Sequence, residues 1–179
     1  MTTKLLNVRL SFADLFEPRP FKPGDIPKFK GTFLIKKGSA NHKLVEAAMI
    51  EAVEAKFPGK AKTIIPQIKG NPNKCCFQDG DTKAYTGYQG HMALTANSKS
   101  RPTLIDREKV QLVAADGKPY SGCYVNVHVD FFAYNNTGIG VSASLKGVQF
   151  VKDGEAFGGS APAPASIDDF DIIPEELAG

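Results

Sequence analysis

GCYVNVHVDFFAYNN, residues 122–136, is the stretch on which the fold turns. Val125, Val127, Val129 and Phe131 alternate with Tyr124, Asn126, His128 and Asp130, and a period of two belongs to a strand with one face in a core. After a turn at Asn135 to Gly138, IGVSASLKGVQFVKDG (139–154) supplies a further strand or pair of strands. Upstream, VQLVAADGKPY (110–120) carries the hairpin signal Asp116-Gly117. At the N-terminus LLNVRLSF (5–12) reads as a strand, FEPRPFKPGDIP (16–27) as an irregular connection crowded with prolines, and KFKGTFLIKK (28–37) as a second strand. One helix follows. It opens near Ser39 or Asn41, carries Leu44, Val45, Ala48, Met49, Ala52 and Val53 along one face, and stops at Phe57-Pro58-Gly59. KAKTIIPQIKGNPNK (60–74) reads as a basic, irregular link to KCCFQDGDTKAYTGYQGHMALTANSKSRP (74–102), where turns flank short β-like runs.

Two strands, a helix and then several more strands point to a mainly β domain, an OB-like barrel with one inserted α-helix and a disordered acidic C-terminal tail. A jelly roll or another sandwich would show similar alternation. The expected boundaries are residues 1–155 for the domain and 156–179 for a flexible linker and tail, the linker marked by GGSAPAPAS.

Charge divides the chain at the same place. Residues 1–152 hold all 22 Lys and Arg against 12 Asp and Glu, a formal +10, while residues 153–179 carry seven acidic residues and no Lys or Arg. A basic body with an acidic tip fits a polyanion-binding domain whose own tail competes for its groove. Three cysteines, two of them adjacent, give no disulfide framework. The chain has no run of eighteen apolar residues and no signal-peptide pattern, so a soluble intracellular protein is expected. His42, His91 and His128 lack ligand spacing, and no metal or cofactor is expected. With no GxSxG, no P-loop and no paired carboxylates spaced for two metals, the chain does not read as an enzyme. His128 and Asp130 share a strand face, but no nucleophile is placed beside them.

Basic residues interleaved with aromatics occur in PKFKGTFLIKK (27–37) and in residues 74–102. A single-strand binder needs both kinds, cations for phosphates and exposed rings on which bases stack. The candidate DNA-binding residues are Lys28, Lys30, Phe33, Lys36, Lys37, Phe77, Tyr85, Tyr88, Lys99 and Arg101. Tyr85 and Tyr88 suit stacking best, because Gly87 and Gly90 beside them leave room for a nucleotide. Tyr88→Ala is therefore expected to weaken binding without unfolding the domain. In the tail, IDDFDIIPEELAG alternates acids with apolar residues, which makes Asp168, Asp169, Phe170 and Asp171 a candidate partner-binding segment. Its reach of about 25 to 30 Å as a flexible chain is enough to fold back over a small barrel.

Three stretches, YTGYQGHMALTANSKSRP, YSGCYVNVHVDFFAYNNTGIGVSASLKGVQFVKDGE and the acidic IDDFD, carry a resemblance. The chain resembles the phage single-stranded DNA-binding proteins with an OB fold, a family first recorded as a phage domain of unknown function. The resemblance implies a non-enzymatic protein that coats single-stranded DNA with little sequence preference during phage DNA replication and recombination, in the host cell cytoplasm. It also implies an acidic C-terminus that competes with DNA and recruits replication proteins. A homodimer or cooperative self-association on DNA is expected, since barrel edges can pair between chains. The alternative is a virion or assembly β-domain that binds another protein.

Overall fold

The computed structural model describes residues 2–157 and Ile173. Seven strands and two helices follow in the order β1 (Thr2–Arg19), β2 (Lys28–Lys36), α1 (Ala40–Lys56), α2 (Ala61–Ile68), β3 (Phe77–Asp79), β4 (His91–Ser98), β5 (Thr103–Ile105), β6 (Tyr124–Asn135) and β7 (Ile139–Lys152). The sheet order is β3-β4-β2-β1-β6-β7-β5, and a parallel pairing of β4 with β7 at Asn97 and Ser144 closes it. Five strands make the barrel, running β1-β2-β4-β7-β6 and back to β1. Numbered along the chain, these barrel strands have the order 1-2-3-5-4, the Greek-key arrangement of an OB fold.

β1 is longer than its sequence pattern suggests because it serves two neighbours, β6 along its first half and β2 along its second. Register shifts between Leu5 and Val8 and between Ser11 and Asp14 let it bend around the barrel, with Asn7 and Phe12 at positive φ (54° and 47°). The bend at Phe12 has a consequence for the surface. Ser11 and Phe12, although consecutive, both meet the aromatic group that lies over the outside of the sheet.

The alternation in residues 122–136 is borne out. Val125, Val127 and Val129 are buried with Leu5, Leu10, Phe33, Leu94 and Leu145 in one continuous core. α1 covers this core mainly against β6, burying Val45, Met49 and Val53, while Leu44 is exposed. Its start is the expected one, with Ser39 Oγ accepting the His42 N–H.

The single expected helix is corrected to two. α2 occupies part of the stretch read as an irregular link, burying Ala61, Ile64 and Ile68 on one face despite Pro66 within it. Its N-cap residue, Lys60, makes no side-chain capping bond. Instead Glu54, on α1, accepts the backbone N–H groups of Gly59 (2.5 Å) and Ala61 (3.0 Å), and these bonds hold its carboxyl below the usual range. A cap delivered from the preceding helix leaves no local start signal. Cys75 and Cys123 are buried free thiols and Cys76 is half-buried; burial pushes the Cys123 thiol up to about 11 and the other two upward as well.

Candidate nucleic-acid interface

The outer face of β1, β2 and β4 is built by the parity of β2. Its odd positions, Phe29, Gly31, Phe33 and Ile35, point into the barrel, and its even positions, Lys28, Lys30, Thr32, Leu34 and Lys36, face out. β4 lies in register, setting Asn97 beside Lys30, Thr95 beside Thr32 with their hydroxyls 3.3 Å apart, Ala93 beside Leu34 and His91 beside Lys36. Cations thus stand at both ends of β2, with hydroxyls at its middle.

Over Leu34 and Ala93 lies the loop that joins β3 to β4. Lys37 fastens it, its Nζ lying 2.6 Å from Asp79 and 2.5 Å from Asp81, and Asp81 also accepts the Gly90 N–H at 2.9 Å. The shared ammonium holds both carboxyls below the ordinary Asp range, and they in turn raise Lys37. So held, the loop drives Tyr88 down onto Leu34 and Ala93 at 3% exposure, with its hydroxyl donating to the buried Ser11 Oγ at 3.0 Å. Tyr85 stays on top at 49% exposure, its ring 5.1 Å from Tyr88 and edge-on to Phe12 at 4.9 Å.

The segment after β7 closes one side of this cluster. Tyr120 Oη donates to Asp153 at 2.7 Å, Phe157 N–H donates to Ser121 O at 3.1 Å, and the Phe157 ring packs against the Tyr88 group. Gly87, at φ +88°, is what admits it: a Cβ there would stand 2.8 Å from the Phe157 ring. Arg9 lies beneath that ring, its guanidinium 4.1 Å from the centroid, and donates to Gly122 O (3.0 Å) and Glu155 O (2.6 Å).

Not all the sequence-predicted residues meet here. Lys28, Lys30, Lys36 and Tyr85 share the outer face. Phe33, at 0% exposure, and Phe77, buried against His42, belong to the core and offer no ring face to a nucleotide. Tyr88 supports Tyr85 from below, and Lys37 is committed to two carboxylates. Lys99 is exposed between β4 and β5. Arg101 is tied by a 2.8 Å bond to Phe16 O. Asp168, Asp169, Phe170 and Asp171 lie outside the described residues.

A closed barrel of OB order carrying a basic, aromatic-bearing outer face matches a known group of proteins. The model of the Enterobacter phage Enc34 ssDNA-binding protein family covers residues 1–178. The chain belongs to this family. It is 45% identical over 179 residues to "Putative protein p50" of Acyrthosiphon pisum secondary endosymbiont phage 1, a match covering 98% of this chain and 97% of that one. Among solved structures it is similar to the single-stranded DNA-binding protein of bacteriophage Enc34 in complex with ssDNA, at 26% identity and a TM-score of 0.71, covering 88% and 89% of the two chains. The fold, though little of the sequence, is shared with gp2.5, a single-stranded DNA-binding protein encoded by bacteriophage T7, at 14% identity and a TM-score of 0.57 over 94% and 92% of the chains. The Enc34 family is one of binding proteins and not of enzymes, as the sequence led us to expect.

Two residues of this outer face escaped the sequence reading. Phe21, 76% exposed in the β1–β2 connection, has Lys30 Nζ 5.5 Å from its ring centroid. The signal was present, since a Phe between prolines and next to Lys22 has nowhere to be buried. Arg9 had no signal, because nothing in LLNVRLSF says which residues will lie across from it.

Proposed function

We propose that this protein binds single-stranded DNA along the outer face of β1, β2 and β4, with little sequence preference, and coats it during phage DNA replication and recombination. The observation that carries the reading is the setting of two exposed rings, Tyr85 and Phe21, among Arg9, Lys28, Lys30 and Lys36 on one face. Cations follow the phosphates and the rings receive bases, two interactions that every nucleotide offers alike, which suits a sequence-tolerant coat. The ssDNA complex of the Enc34 protein supports the choice of ligand.

The acidic C-terminus competes with the strand and recruits replication proteins in the host cytoplasm. Phe157 supports this part, because it seats the chain on Arg9 immediately before residue 158, at the margin of the proposed groove. Self-association along DNA belongs to the same proposal, through β3 or β5, which end the sheet.

The test is binding of the full chain and a 1–159 truncation to a labelled poly-dT oligomer and a matched duplex at two salt concentrations. Preference for the single strand is expected, with a log-log salt slope near about −3 if about four phosphates are neutralised. The truncated form is expected to bind more tightly, most clearly at low salt. Weak binding that ignores strandedness would move the protein to the assembly-domain reading, and weaker binding on truncation would make the tail part of the site.

A further inference from the structure

The outer surface of β6 and β7, with β5 beside β7, lies across the barrel from β2, and it is basic as well. The register sets Thr103, Gly147, His128 and Lys4 in one row over β5, β7, β6 and β1. Where the row crosses β7, the strand bulges. Its buried residues are Val141, Ala143 and Leu145 before that point and Val148 and Phe150 after it, so Lys146 and Gly147 in between both face out. One of the two has no side chain. The result is a dent of about 440 Å³, lined by Gly147 and Lys146.

A second lysine reaches this dent from a strained position. In the turn from Asp106 to Val110, Lys109 N–H donates to Asp106 O (3.1 Å) and Asp106 N–H donates to Val110 O (2.9 Å). The Asp106 carboxylate accepts the N–H groups of Glu108 and Val110, both at 2.9 Å. Lys109 stands at φ +65°, the place in such a turn that glycine ordinarily fills. Gln149 fastens the turn, its Nε2 donating to Asp106 O at 3.2 Å, while its Oε1 accepts from Asn126 at 3.3 Å. Asn126 in turn accepts the Asn7 N–H at 2.9 Å. The cations thus stand on a fixed polar ledge. Asp130, the carboxylate of this face, is matched by Lys146 at 3.7 Å, whereas Lys4 and Lys109 form no ion pair among the described residues.

We propose that this dent is a docking site for an acidic peptide, and that its occupant is the chain's own segment Asp168, Asp169, Phe170 and Asp171. The inference rests on the competing tail proposed above and deepens it, giving the tail a second place to go when a strand holds the front. Lysines at the rim with Ile105 and Val148 in the lining suit carboxylates set around one apolar side chain. A single strand suits it less, because the lining offers no Phe, Tyr or Trp on which bases could stack. The tail also starts close by. Phe157 and Tyr124 share the Arg9 guanidinium, which lies 4.1 and 5.9 Å from their ring centroids. From Tyr124, Asn126 and His128 are two and four residues along β6, about 7 and about 13 Å. The linker from Phe157 to Asp168 has an r.m.s. reach of about 18 Å. A tail held behind does not compete in front, so the site raises the affinity of the full chain for DNA.

The test uses Lys109→Gly/Lys146→Gln, made in the full chain and in the 1–159 form, which keeps every strand and helix. Glycine suits the positive φ of residue 109, so the first change removes a charge without straining the turn. The full-chain variant is expected to bind a labelled dT oligomer about three- to ten-fold more weakly than the wild type at low salt, as loss of two exposed charge contacts allows, while the 1–159 form is unaffected. A labelled peptide of residues 160–179 is expected to bind the 1–159 form even when excess dT fills the front, and to lose that binding in the variant. Unchanged dT affinity in the full-chain variant, equal weakening in both forms, or complete displacement of the peptide by dT would overturn the site. A wild type that does not bind dT would instead bring down the single-strand reading, and a variant-sensitive peptide would still bind the dent in its absence.

Discussion

Tyr85 and Tyr88 are three residues apart and look alike in the sequence, yet their substitution is expected to do different things. Tyr88→Ala removes a ring that rests on Leu34 and Ala93 and takes away the partner of the buried Ser11 hydroxyl. Removing an aromatic side chain from a packed site costs about 3 to 5 kcal/mol. For a domain of this size, at about 2 to 4 °C per kcal/mol, the melting temperature is expected to fall by roughly 6 to 20 °C. Tyr88→Phe keeps the ring and loses one hydrogen bond, about 1 kcal/mol, or roughly 2 to 4 °C. Tyr85→Ala, at a half-exposed position, is expected to change stability by no more than about 0.5 kcal/mol but to lose about 1 to 3 kcal/mol of single-strand affinity, roughly 5- to 150-fold. Phe21→Ala is expected to follow the Tyr85 pattern. Thermal melts followed by circular dichroism, together with anisotropy titrations of a dT oligomer well below each melting temperature, separate the two classes. A Tyr88→Ala protein that melts with the wild type and merely binds less well would refute the reasoning and restore Tyr88 as a stacking residue.

The lysines at the end of β2 divide in the same way. Lys36→Ala is expected to flatten the log-log salt slope by about one, as loss of a phosphate contact does, whereas Lys37→Ala, whose charge already faces Asp79 and Asp81, is expected to lower affinity by loosening the loop and to leave the slope near its wild-type value; equal slope changes would undo the distinction. The same clasp sets a pH window. Because its carboxyls are depressed, its contribution is complete above the ordinary Asp value of about 3.9 and fades as pH falls through their lower folded values; because Lys37 is raised, it persists below about 10.4 and fades as pH climbs through the raised value. The amide resonance of Gly90, which donates to Asp81, is expected to move with an acid midpoint below 3.9, and a midpoint at or above the ordinary value of about 3.9 would mean that Lys37 does not hold Asp81.

Much of this arrangement could be read from residue types, and the misreadings have separate physical origins. Phe33 could have been excluded without a structure. If Lys28, Lys30 and Lys36 face outward on a regular strand, an odd-numbered residue between them faces inward, and a strand cannot offer both to one ligand. Tyr88 could not have been excluded, because it lies in a loop without period and is buried on Leu34 and Ala93, with its hydroxyl bonded to Ser11, 77 residues away in the chain. α2 was hidden for a related reason, since its N-terminus is satisfied by Glu54 on the preceding helix rather than by a cap of its own. Local pattern reports which face a residue takes within its own element. It carries no information about which distant element will cover that face.

The cations of the groove also differ in how much of their field is left for a ligand. Lys37 is matched by two carboxylates and Lys30 shares Asp14 with Arg19. Arg9 is different. Among the described residues its guanidinium meets carbonyl oxygens and an aromatic face but no carboxylate, so it is held in direction without being neutralised. A positive charge so fixed loses little conformational freedom when an anion arrives. In the proposed reading two anions compete for it, the phosphates of a strand and the carboxylates that follow Phe157 in the chain. Both attractions are screened together, over about 10 Å at 0.1 M salt and about 3 Å at 1 M. The tether gives the tail a fixed local concentration that salt does not dilute, but its hold on the groove is ionic. Raising salt therefore weakens the competitor as well as the strand, and the advantage of the 1–159 truncation over the full chain is expected to shrink toward equality as salt approaches 1 M. An advantage that stayed constant with salt would mean that the tail blocks the groove by bulk or apolar contact instead of by charge.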